Sequence, residues 1–342
     1  MKTSVIILHY SGLKDTRACI QSLLKDGETD REIIVWDNAS AQNDGQELLR
    51  EFGDAIRLEV ASENFGYAGG NNRAAKIASG DILIFLNNDT EVARGWMTPL
   101  VAALEADENL AACQPKLHSL WDATLFDTAG GAGGFIDAWG YPFVRGRVIS
   151  FQEEDIGQYD ALTVLDWACG ACMAVRKKEF LNAGGFDEDF FAYLEEVDLC
   201  WKWRRFGKSI ALIPLSIVGH RGGSTWKNRQ HLMLYHKHRN GLLMLLKHLS
   251  YWQMLRVLPI RLALEWFAAF FYLLHGGLLQ ALAPIRSFFM FFVLAPYTLT
   301  KRIDVRYLPL RKLRVLPQYF LRGRKVYSSL AEVGLIILKE NS

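Results

Sequence analysis

The stretch at residues 184–203 concentrates carboxylates among bulky aromatic side chains. Acidic residues stand at 187–189 and again at 195, 196 and 198, with phenylalanine, tyrosine and tryptophan residues between and after them. Burial beside apolar rings raises the pKa of a carboxylate towards the range of a general base. This stretch therefore predicts a catalytic acid cluster, and the rest of the chain must bring it a substrate.

Two uninterrupted apolar runs open the chain, at residues 4–9 and 33–36, with a helical pattern between them. Strands without polar alternation are typical of a parallel sheet covered on both faces. The runs therefore predict a β-α-β unit. Polar residues follow each predicted strand, and ligands bind at such carboxyl ends. Asp37 can accept hydrogen bonds there from a ribose or a base, or it can cap the next helix.

A glycine-rich segment at residues 64–72 follows a third predicted strand at 58–60 and precedes a helix predicted from about Arg73 to Ala78. Glycines at 66, 69 and 70 let a backbone approach a ligand closely. The segment is neither a Gly-Lys-Ser/Thr loop nor a Gly-x-Gly-x-x-Gly loop. A phosphate cradle therefore stays one interpretation of these glycines.

The clearest central strand, at residues 80–86, runs directly into Asn87, Asn88 and Asp89. A carboxylate at a strand end can hold Mg²⁺ or Mn²⁺, which use few protein carboxylates when substrate phosphates complete their coordination. One aspartate with a diphosphate is chemically sufficient. The same three residues also suit a simple turn.

The segment from Trp121 to Arg147 is rich in glycine and aromatic residues and has neither helical nor strand periodicity. Such a long loop suits an active-site lid or an acceptor platform, or an ordered loop packed on the sheet. The five cysteines form no even framework, and the apolar run at 5–8 is too short for a signal peptide, so we expect a reducing cytoplasm. Cys169 and Cys172 are either a redox or zinc pair or small buried residues of a strand.

The last third of the chain differs from the rest in charge and hydropathy. Residues 237–342 carry 16 Lys and Arg against 4 Asp and Glu, a net charge of +12, which leaves −10 for residues 1–236. Residues 266–285 carry no formal charge, and a second apolar run at 287–299 is too short to span a membrane alone. Basic and aromatic residues border both runs. The pattern favours a membrane-embedded hairpin or interfacial helices, with one spanning helix or a soluble helical cap as alternatives.

Several short motifs, in a fixed order over roughly residues 3–225, resemble the inverting family 2 nucleotide-sugar glycosyltransferases, and most of all their rhamnosyltransferase-type subgroup. They comprise residues 4–7, 37–40, 64–72, 86–89 and 170–173, and the acid-rich stretch from Gly184 to Leu199. The resemblance implies an α/β GT-A fold, with a Rossmann-like, mostly parallel central sheet flanked by helices, over residues 1–235. Residues 236–342 would form a basic, apolar, helical membrane-associated region.

The resemblance also implies roles for individual residues. Asn87 stands where the family has the first acid of its metal motif, which removes one negative charge and puts strict metal dependence in doubt. Asp89 and His220 would bind Mg²⁺ or Mn²⁺, and Trp167 and Gly170 would contact the acceptor. Residues near the nucleotide sugar would be Tyr10, Asp37, Gly66, Gly70, Asn71, Asn87 and Asn88.

The catalytic base of the family lies in a Glu-Asp pair that reads Glu195 and Glu196 here. Its position indicates Glu196, with Glu195 and Asp198 as rivals, because a side chain longer by one methylene can misplace the carboxylate. If residues 193–203 are helical, Glu195, Asp198 and Lys202 share one face and Glu196 points elsewhere. Glu195 and Asp198 would then equally suit pairing along the helix.

These features predict an inverting glycosyltransferase that moves a sugar from a nucleoside-diphosphate sugar to a glycan acceptor carried on a polyprenyl diphosphate, in the assembly of cell-surface polysaccharide. We expect it at the cytoplasmic face of the membrane, as a peripheral, monotopic or single-span protein on anionic lipid, with no nucleic-acid partner and with a homo-oligomer possible. The alternative is a non-catalytic protein that binds a sugar nucleotide or a glycan. A processive synthase would need several spanning helices and a Gln-x-x-Arg-Trp motif, which the sequence lacks.

Overall fold

The computed structural model describes residues 1–222, 229–303, 305 and 307–331, and its strands form two sheets. The strands are β1 (Thr3–His9), β2 (Arg31–Asp37), β3 (Arg57–Val60), β4 (Ile82–Asn87), β5 (Thr90–Val92), β6 (Leu110–Ser119), β7 (Gly134–Ile136), β8 (Pro142–Val144), β9 (Arg147–Val148), β10 (Phe151–Gln152), β11 (Thr163–Val164), β12 (Cys172–Arg176) and β13 (Ser209–His220).

The helices cover the main sheet and then form a layer of their own near the end of the chain. They are α1 (Leu13–Lys25), α2 (Asp44–Phe52), α3 (Gly66–Ile77), α4 (Met97–Ala106), α5 (Lys177–Asn182), α6 (Glu195–Arg205), α7 (Gln230–His248), α8 (Tyr251–His275), α9 (Leu278–Thr300), α10 (Val315–Arg322) and α11 (Tyr327–Ala331).

The main sheet has nine strands in the order β11-β13-β6-β12-β4-β1-β2-β3, with β5 paired to β13. Strands β3, β2, β1 and β4 are parallel, as the continuous apolar runs predict, and the core of β1 and β4 is fully buried. Their register pairs His9 with Asp37 and Leu8 with Asn87, so the polar residues after these strands gather at one edge. The predicted α/β class is confirmed.

The glycine-rich segment is helical, so the prediction that the helix starts near residue 73 is wrong. Helix α3 begins at Gly66 and includes Gly69 and Gly70. A side chain at Gly70 would overlap Leu8 of β1, because the helix lies directly against that strand. These glycines permit close packing of a helix on the sheet, a requirement that sequence spacing does not distinguish from a phosphate cradle.

Residues 134–152, whose beginning falls in the segment expected to be a loop, form a second sheet in the order β10-β9-β8-β7. Its strands have two or three residues each, too few for strand periodicity to appear in the sequence. Phe135 and Phe143 are buried and tilt against Tyr327 of α11. A packed platform beside the main sheet replaces the lid interpretation.

Helices α7, α8 and α9 pack against one another, and the α8–α9 hairpin turns at Gly276 and Gly277. By length and composition, α8 and α9 are each long enough and apolar enough to cross a membrane. Only 22% of the most apolar 18-residue stretch of α8, and 28% of that of α9, is buried. The run at 287–299 therefore belongs to a longer helix than the sequence suggested, since α9 continues through Pro284. The predicted domain boundary at 235/236 falls inside α7, and that division stays a prediction.

Gly66 offers a test of the contact that links α3 to the segment ahead of α6. Its φ is +69°, and a Cβ there would overlap the Phe191 carbonyl oxygen, which also accepts a hydrogen bond from Ala68 N at 3.2 Å. We expect Gly66→Ala to lower the free energy of unfolding by about 3 kcal/mol, from left-handed strain plus displaced backbone. Urea unfolding of the detergent-purified chain measures this.

The matched control is Gly207→Ala, because Gly207 also has a positive φ, +82°, but has open space around its Cβ position. It should cost only the conformational strain of about 1 kcal/mol. Equal losses in the two variants would show that the overlap with Phe191 does not matter.

Candidate active site

A cavity of about 960 Å³ opens where the carboxyl ends of β1 and β4 meet the first turn of α6, the second sheet and one face of α7. Most of the site residues predicted from the sequence line this cavity. They are Tyr10, Gly66, Asn87, Asn88, Asp89, Trp167, Gly170, Glu195, Glu196 and His220.

Asp37, Gly70, Asn71 and Asp198 do not line this cavity. The Asp37 carboxylate accepts hydrogen bonds from the backbone N–H of Ser40 at 2.7 Å and of Gly45 at 3.1 Å, and so orders the chain into α2. The Asn71 amide donates to the Tyr67 carbonyl within α3 at 3.0 Å. Asp37 therefore holds the first turn of α2 from outside the helix, whose N-cap residue is Asn43, and Gly70 packs against β1.

Asp89 and His220 lie side by side on the sheet wall of the cavity. His220 Nε2 is 3.2 Å from Asp89 Oδ1, and His220 Nδ1 is 3.1 Å from Asp127 Oδ1. Burial alone would lower the pKa of His220, but the two carboxylates outweigh it and raise that pKa to about 10. The sequence did not predict a role for Asp127, because that residue lies in the segment from Trp121 to Arg147, which has neither helical nor strand periodicity. It orients the imidazole ring as a carboxylate partner of a histidine commonly does.

These side chains suit a hard or borderline divalent cation. Asp89 offers oxygen, and His220 would offer nitrogen once it releases a ring proton on metal binding. The Asn87 amide lies 3.5 Å from His220 Nε2. Within the described part of the chain, no group of three or more His, Cys, Asp or Glu side chains gathers as a ligand set. Two protein ligands fit Mg²⁺ or Mn²⁺ when phosphate oxygens and water supply the other positions.

A strained turn presents the two glutamates. Phe191, Tyr193 and Leu194 have φ values of +62°, +73° and +71°, a rare conformation for bulky residues that accumulates at functional sites. The buried amide of Asn240, on α7, lies 3.0, 3.0 and 2.7 Å from the carbonyl oxygens of residues 190, 192 and 193. Helix α6 therefore starts where α7 holds this turn, with Glu195 and Glu196 as its first residues.

Glu195 and Glu196 both have raised pKa values, and burial is the main cause. Glu195 is raised further by Glu196 and by Asp198. For Glu196, hydrogen bonds from the backbone, that of Gly170 included, and the charge of Lys237 oppose the rise. Among described residues, the Oε2 atom of each glutamate is buried without a hydrogen-bond partner.

Two tyrosines show that these groups face one another. Burial raises the pKa of the Tyr193 phenol, and Glu195, Asp89 and Glu196 raise it further, so all three acids act on one ring. The Tyr67 hydroxyl donates to the Gly170 carbonyl at 2.7 Å, and its pKa is raised by burial and then by both glutamates. The cavity therefore brings the predicted metal side chains and the predicted base together. A single tyrosine in a helix or turn carries no sequence signal for this role.

Asp198 lies in a separate cavity of about 400 Å³. Its carboxylate is 2.5 Å from Lys247 Nζ and 2.9 Å from His248 Nε2. Burial alone would raise the pKa of Asp198, but Lys247 and His248 hold it well below the usual range. The expectation that Glu195 shares a face with Asp198 while Glu196 points elsewhere is wrong. Glu195 and Glu196 share the large cavity, and Asp198 ties α6 to α7.

We expect Asp198→Asn to lower the free energy of unfolding by about 3 kcal/mol at neutral pH, because it leaves buried Lys247 without its second carboxylate. A lowered folded-state pKa gives stability that is present above the ordinary aspartate pKa of about 3.9 and is lost below it. The difference in free energy of unfolding between wild type and Asp198→Asn should therefore become smaller as the pH falls. Thermal unfolding as a function of pH measures it.

Asp189→Asn is the matched control, since Asp189 also pairs with a lysine, Lys301 at 2.5 Å, but its side chain is 44% exposed. It should lose less than about 1 kcal/mol. Equal stability of wild type and Asp198→Asn would contradict the structural role of Asp198.

Comparison with known proteins extends these observations. Residues 4–161 match the family model described as glycosyl transferase family 2. The chain is 30% identical over 199 residues to a probable N-acetylgalactosaminyltransferase 9 of Caenorhabditis elegans, covering 56% of this chain and 34% of that protein. It is 24% identical over 252 residues to an N-acetylglucosaminyl-diphospho-decaprenol L-rhamnosyltransferase of Mycobacterium tuberculosis, covering 68% of this chain and 81% of that protein.

The chain spans only 16% to 35% of the length of the first three curated relatives. A crystal structure of GalNAc-T7 with UDP, GalNAc and Mn²⁺ superposes with a TM-score of 0.58 at 15% identity, covering 91% of this chain and 59% of that one. The similarity confirms the fold that the sequence motifs predicted. Residues 4–161 therefore match a glycosyl transferase family 2 domain, and the chain has the GT-A fold.

Proposed function

We propose that the protein is an inverting glycosyltransferase that uses a nucleoside-diphosphate sugar as donor and a lipid-linked glycan as acceptor. One observation carries the proposal: Asp89 with His220, and Glu196, line the same cavity. A transferase needs these two groups on either side of one anomeric carbon. A protein that only binds sugar nucleotides has no need of a buried, unpartnered carboxylate oxygen opposite the donor.

The reaction is a single in-line displacement. Glu196 accepts, at Oε2, the proton of an acceptor hydroxyl while the hydroxyl oxygen bonds to the anomeric carbon. The bond from the anomeric carbon to the donor phosphate breaks at the same time, and the nucleoside diphosphate leaves with the electron pair. The attacking and leaving oxygens lie on opposite faces, so the configuration inverts. A divalent cation on Asp89 and His220 supplies charge neutralisation for the leaving diphosphate when it is bound.

The neighbouring groups tune and orient this step. Burial raises the pKa values of both glutamates, and the charge of Glu196 raises that of Glu195 further, because two buried carboxylates side by side oppose each other's ionisation. Tyr10, Asn87, Trp167 and Gly170 all line the cavity. We assign the first two to the donor and the last two to the acceptor. The Trp167 indole is fixed by donating to the Phe135 carbonyl at 3.0 Å, which makes a rigid wall for the acceptor.

Lipid-linked acceptors and a membrane position are supported by the C-terminal helices. Aromatic and aliphatic side chains stay exposed along α8 and α9, among them Trp252, Phe267, Phe270 and Phe292. Exposed apolar area on this scale marks an interaction surface, and the positive charge of residues 237–342 suits anionic lipid. The mycobacterial relative is named for a diphospho-decaprenol acceptor. These features support an enzyme of the cytoplasmic membrane face in polysaccharide assembly.

A donor screen tests the proposal. The detergent-purified chain, incubated with a panel of nucleotide sugars and an extract of lipid-linked glycans, should release a nucleoside diphosphate and elongate the lipid with inversion. Adding Mn²⁺ should raise the rate and EDTA should lower it, because charge on the leaving diphosphate is then left unbalanced. Donor binding without any turnover would instead favour a non-catalytic sugar-nucleotide-binding protein. Retained configuration in the product would exclude the single displacement.

Glu196→Gln tests the base. We expect kcat to fall at least about 100-fold with donor affinity unchanged, because the amide cannot accept the proton. In the wild type, the raised pKa of Glu196 means that its ionised fraction, and therefore kcat, increases with pH through a higher range than an exposed glutamate near 4.3 would give.

Glu195→Gln is the matched control for the base. The proposed mechanism gives Glu195 no proton to accept, so we expect Glu195→Gln to lower kcat less than about tenfold. A larger loss from Glu195→Gln than from Glu196→Gln would reverse the assignment. Circular dichroism of both variants separates a chemical effect from misfolding.

A further inference from the structure

Arg147 and Lys237 line the catalytic cavity, as do Arg229 and Arg261. Arg147 begins β9 in the second sheet, and Lys237 lies on α7. Among the residues that the structure describes, neither makes a salt bridge. Arg147 donates from Nη1 to the Thr128 carbonyl at 2.5 Å, which uses one of its five N–H groups. Arg261, which also lines the cavity, is engaged by the Trp139 carbonyl at 3.0 Å and by the Tyr141 ring.

The two cations line the same cavity as the proposed base, and Lys237 interacts electrostatically with both Arg147 and Glu196. Desolvation lowers the pKa of Lys237, and Arg147 lowers it further, whereas Glu196 acts in the opposite direction. Lys237 Nζ lies 4.9 Å from the centre of the Tyr193 ring. The charges of Glu195 and Glu196 raise the pKa of the same tyrosine. Two like charges held together beside a cavity repel each other unless an anion joins them. The arrangement therefore suits a doubly charged anionic group near Glu196.

An apolar surface continues from the two cations along the same cavity. One side comes from the second sheet and its last turn, one from α7 and one from α10. The α7 residues on this surface recur at the spacing of one helical face, together with Lys237. The apolar lining residues are Pro142, Phe143, Val144, Ile149, Leu232, Met233, Val315 and Leu316.

A cationic pair that opens onto an apolar groove matches a molecule with a phosphorylated head and a hydrocarbon tail. We propose that Arg147 and Lys237 bind the diphosphate of the lipid-linked acceptor, and that the apolar surface beside them takes the first isoprene units of its chain. This assignment rests on the proposed transfer to a lipid-linked glycan. It places the acceptor diphosphate beside Glu196, so that the sugar it carries presents a hydroxyl to that carboxylate.

The donor diphosphate is the competing occupant of the cations, and position argues against it. The predicted donor side chains Tyr10, Asn87 and Asp89 are on the sheet edge, whereas Lys237 comes from α7 and acts on Glu196. A donor reaching Lys237 would place its leaving group on the side of the base. In-line attack requires the leaving group on the opposite side.

Binding of farnesyl diphosphate to the full chain in detergent tests the inference independently of sugar transfer. We expect Arg147→Gln and Lys237→Gln each to weaken its binding about tenfold, as loss of one charge-assisted contact does. Farnesol should bind more weakly than farnesyl diphosphate and should not respond to either change. Inorganic pyrophosphate should also bind more weakly than farnesyl diphosphate, since it lacks the apolar chain.

Exposed cations outside the cavity serve as matched controls, and Arg50→Gln and Lys178→Gln should leave farnesyl diphosphate binding unaltered. Unaltered binding in both cavity variants, or farnesol binding as tight as that of farnesyl diphosphate, overturns the anion site. Pyrophosphate binding as tight as that of farnesyl diphosphate overturns the lipid assignment in favour of a free phosphate ligand. A matching loss of UDP, GDP and dTDP binding in both cavity variants shows that the cations hold the donor. Failure of the donor screen, by contrast, rejects the transferase proposal and leaves this binding result standing.

Discussion

The hydrogen bonds of one buried amide, that of Asn240, connect helix α7 to the turn that precedes α6. Its two N–H groups are shared among three carbonyl oxygens of residues 190–193, in a turn where three bulky residues adopt positive φ values. Such a turn is costly by itself and persists only where its surroundings determine it. Because α6 starts at the end of this turn, the position of Glu195 and Glu196 depends on α7. The position of the proposed base therefore depends on the helical layer as well as on the sheet.

Ion pairs strengthen the same connection on the other side of α6. Lys247 of α7 bridges Asp187 at 2.7 Å and Asp198 at 2.5 Å, and Lys301, just after α9, reaches Asp187 at 2.6 Å. Asp187 belongs to the segment ahead of the strained turn, so both ends of that segment are held by α7 or α9. If α8 and α9 rest on a lipid surface, their position there also sets the position of the base. An acceptor held in that surface then meets an active site already oriented towards it.

The sequence predicted those parts of the site that depend on strand ends, and it failed where contacts between distant elements decide. Continuous apolar runs place residues 10, 87 and 89 at one sheet edge, because parallel strands end together. The second sheet was missed because strands of two or three residues have no period to detect. The glycines of α3 were misinterpreted because close packing and phosphate binding require the same residue. Asp127 and Lys237 join the site through tertiary contacts alone, and nothing in their local sequence distinguishes them. Tyr193, by contrast, belongs to the acid-rich stretch that the sequence singles out.

In the proposed reaction the cavity holds two diphosphates, one of the donor and one of the acceptor, near one reacting carbon. Two such anions repel each other strongly where protein excludes water, so each needs its own counter-charge. Asn87 in place of an acid leaves the donor wall less negative, and Asp89 with His220 still offers ligands to one cation. Arg147 and Lys237 supply positive charge on the far wall without a metal. Burial, more than the charge of Lys237, determines the raised pKa of Glu196. In the proposed reaction Glu196 acts on the acceptor hydroxyl, the cation that Asp89 and His220 would hold serves the leaving diphosphate, and in-line displacement then inverts the configuration.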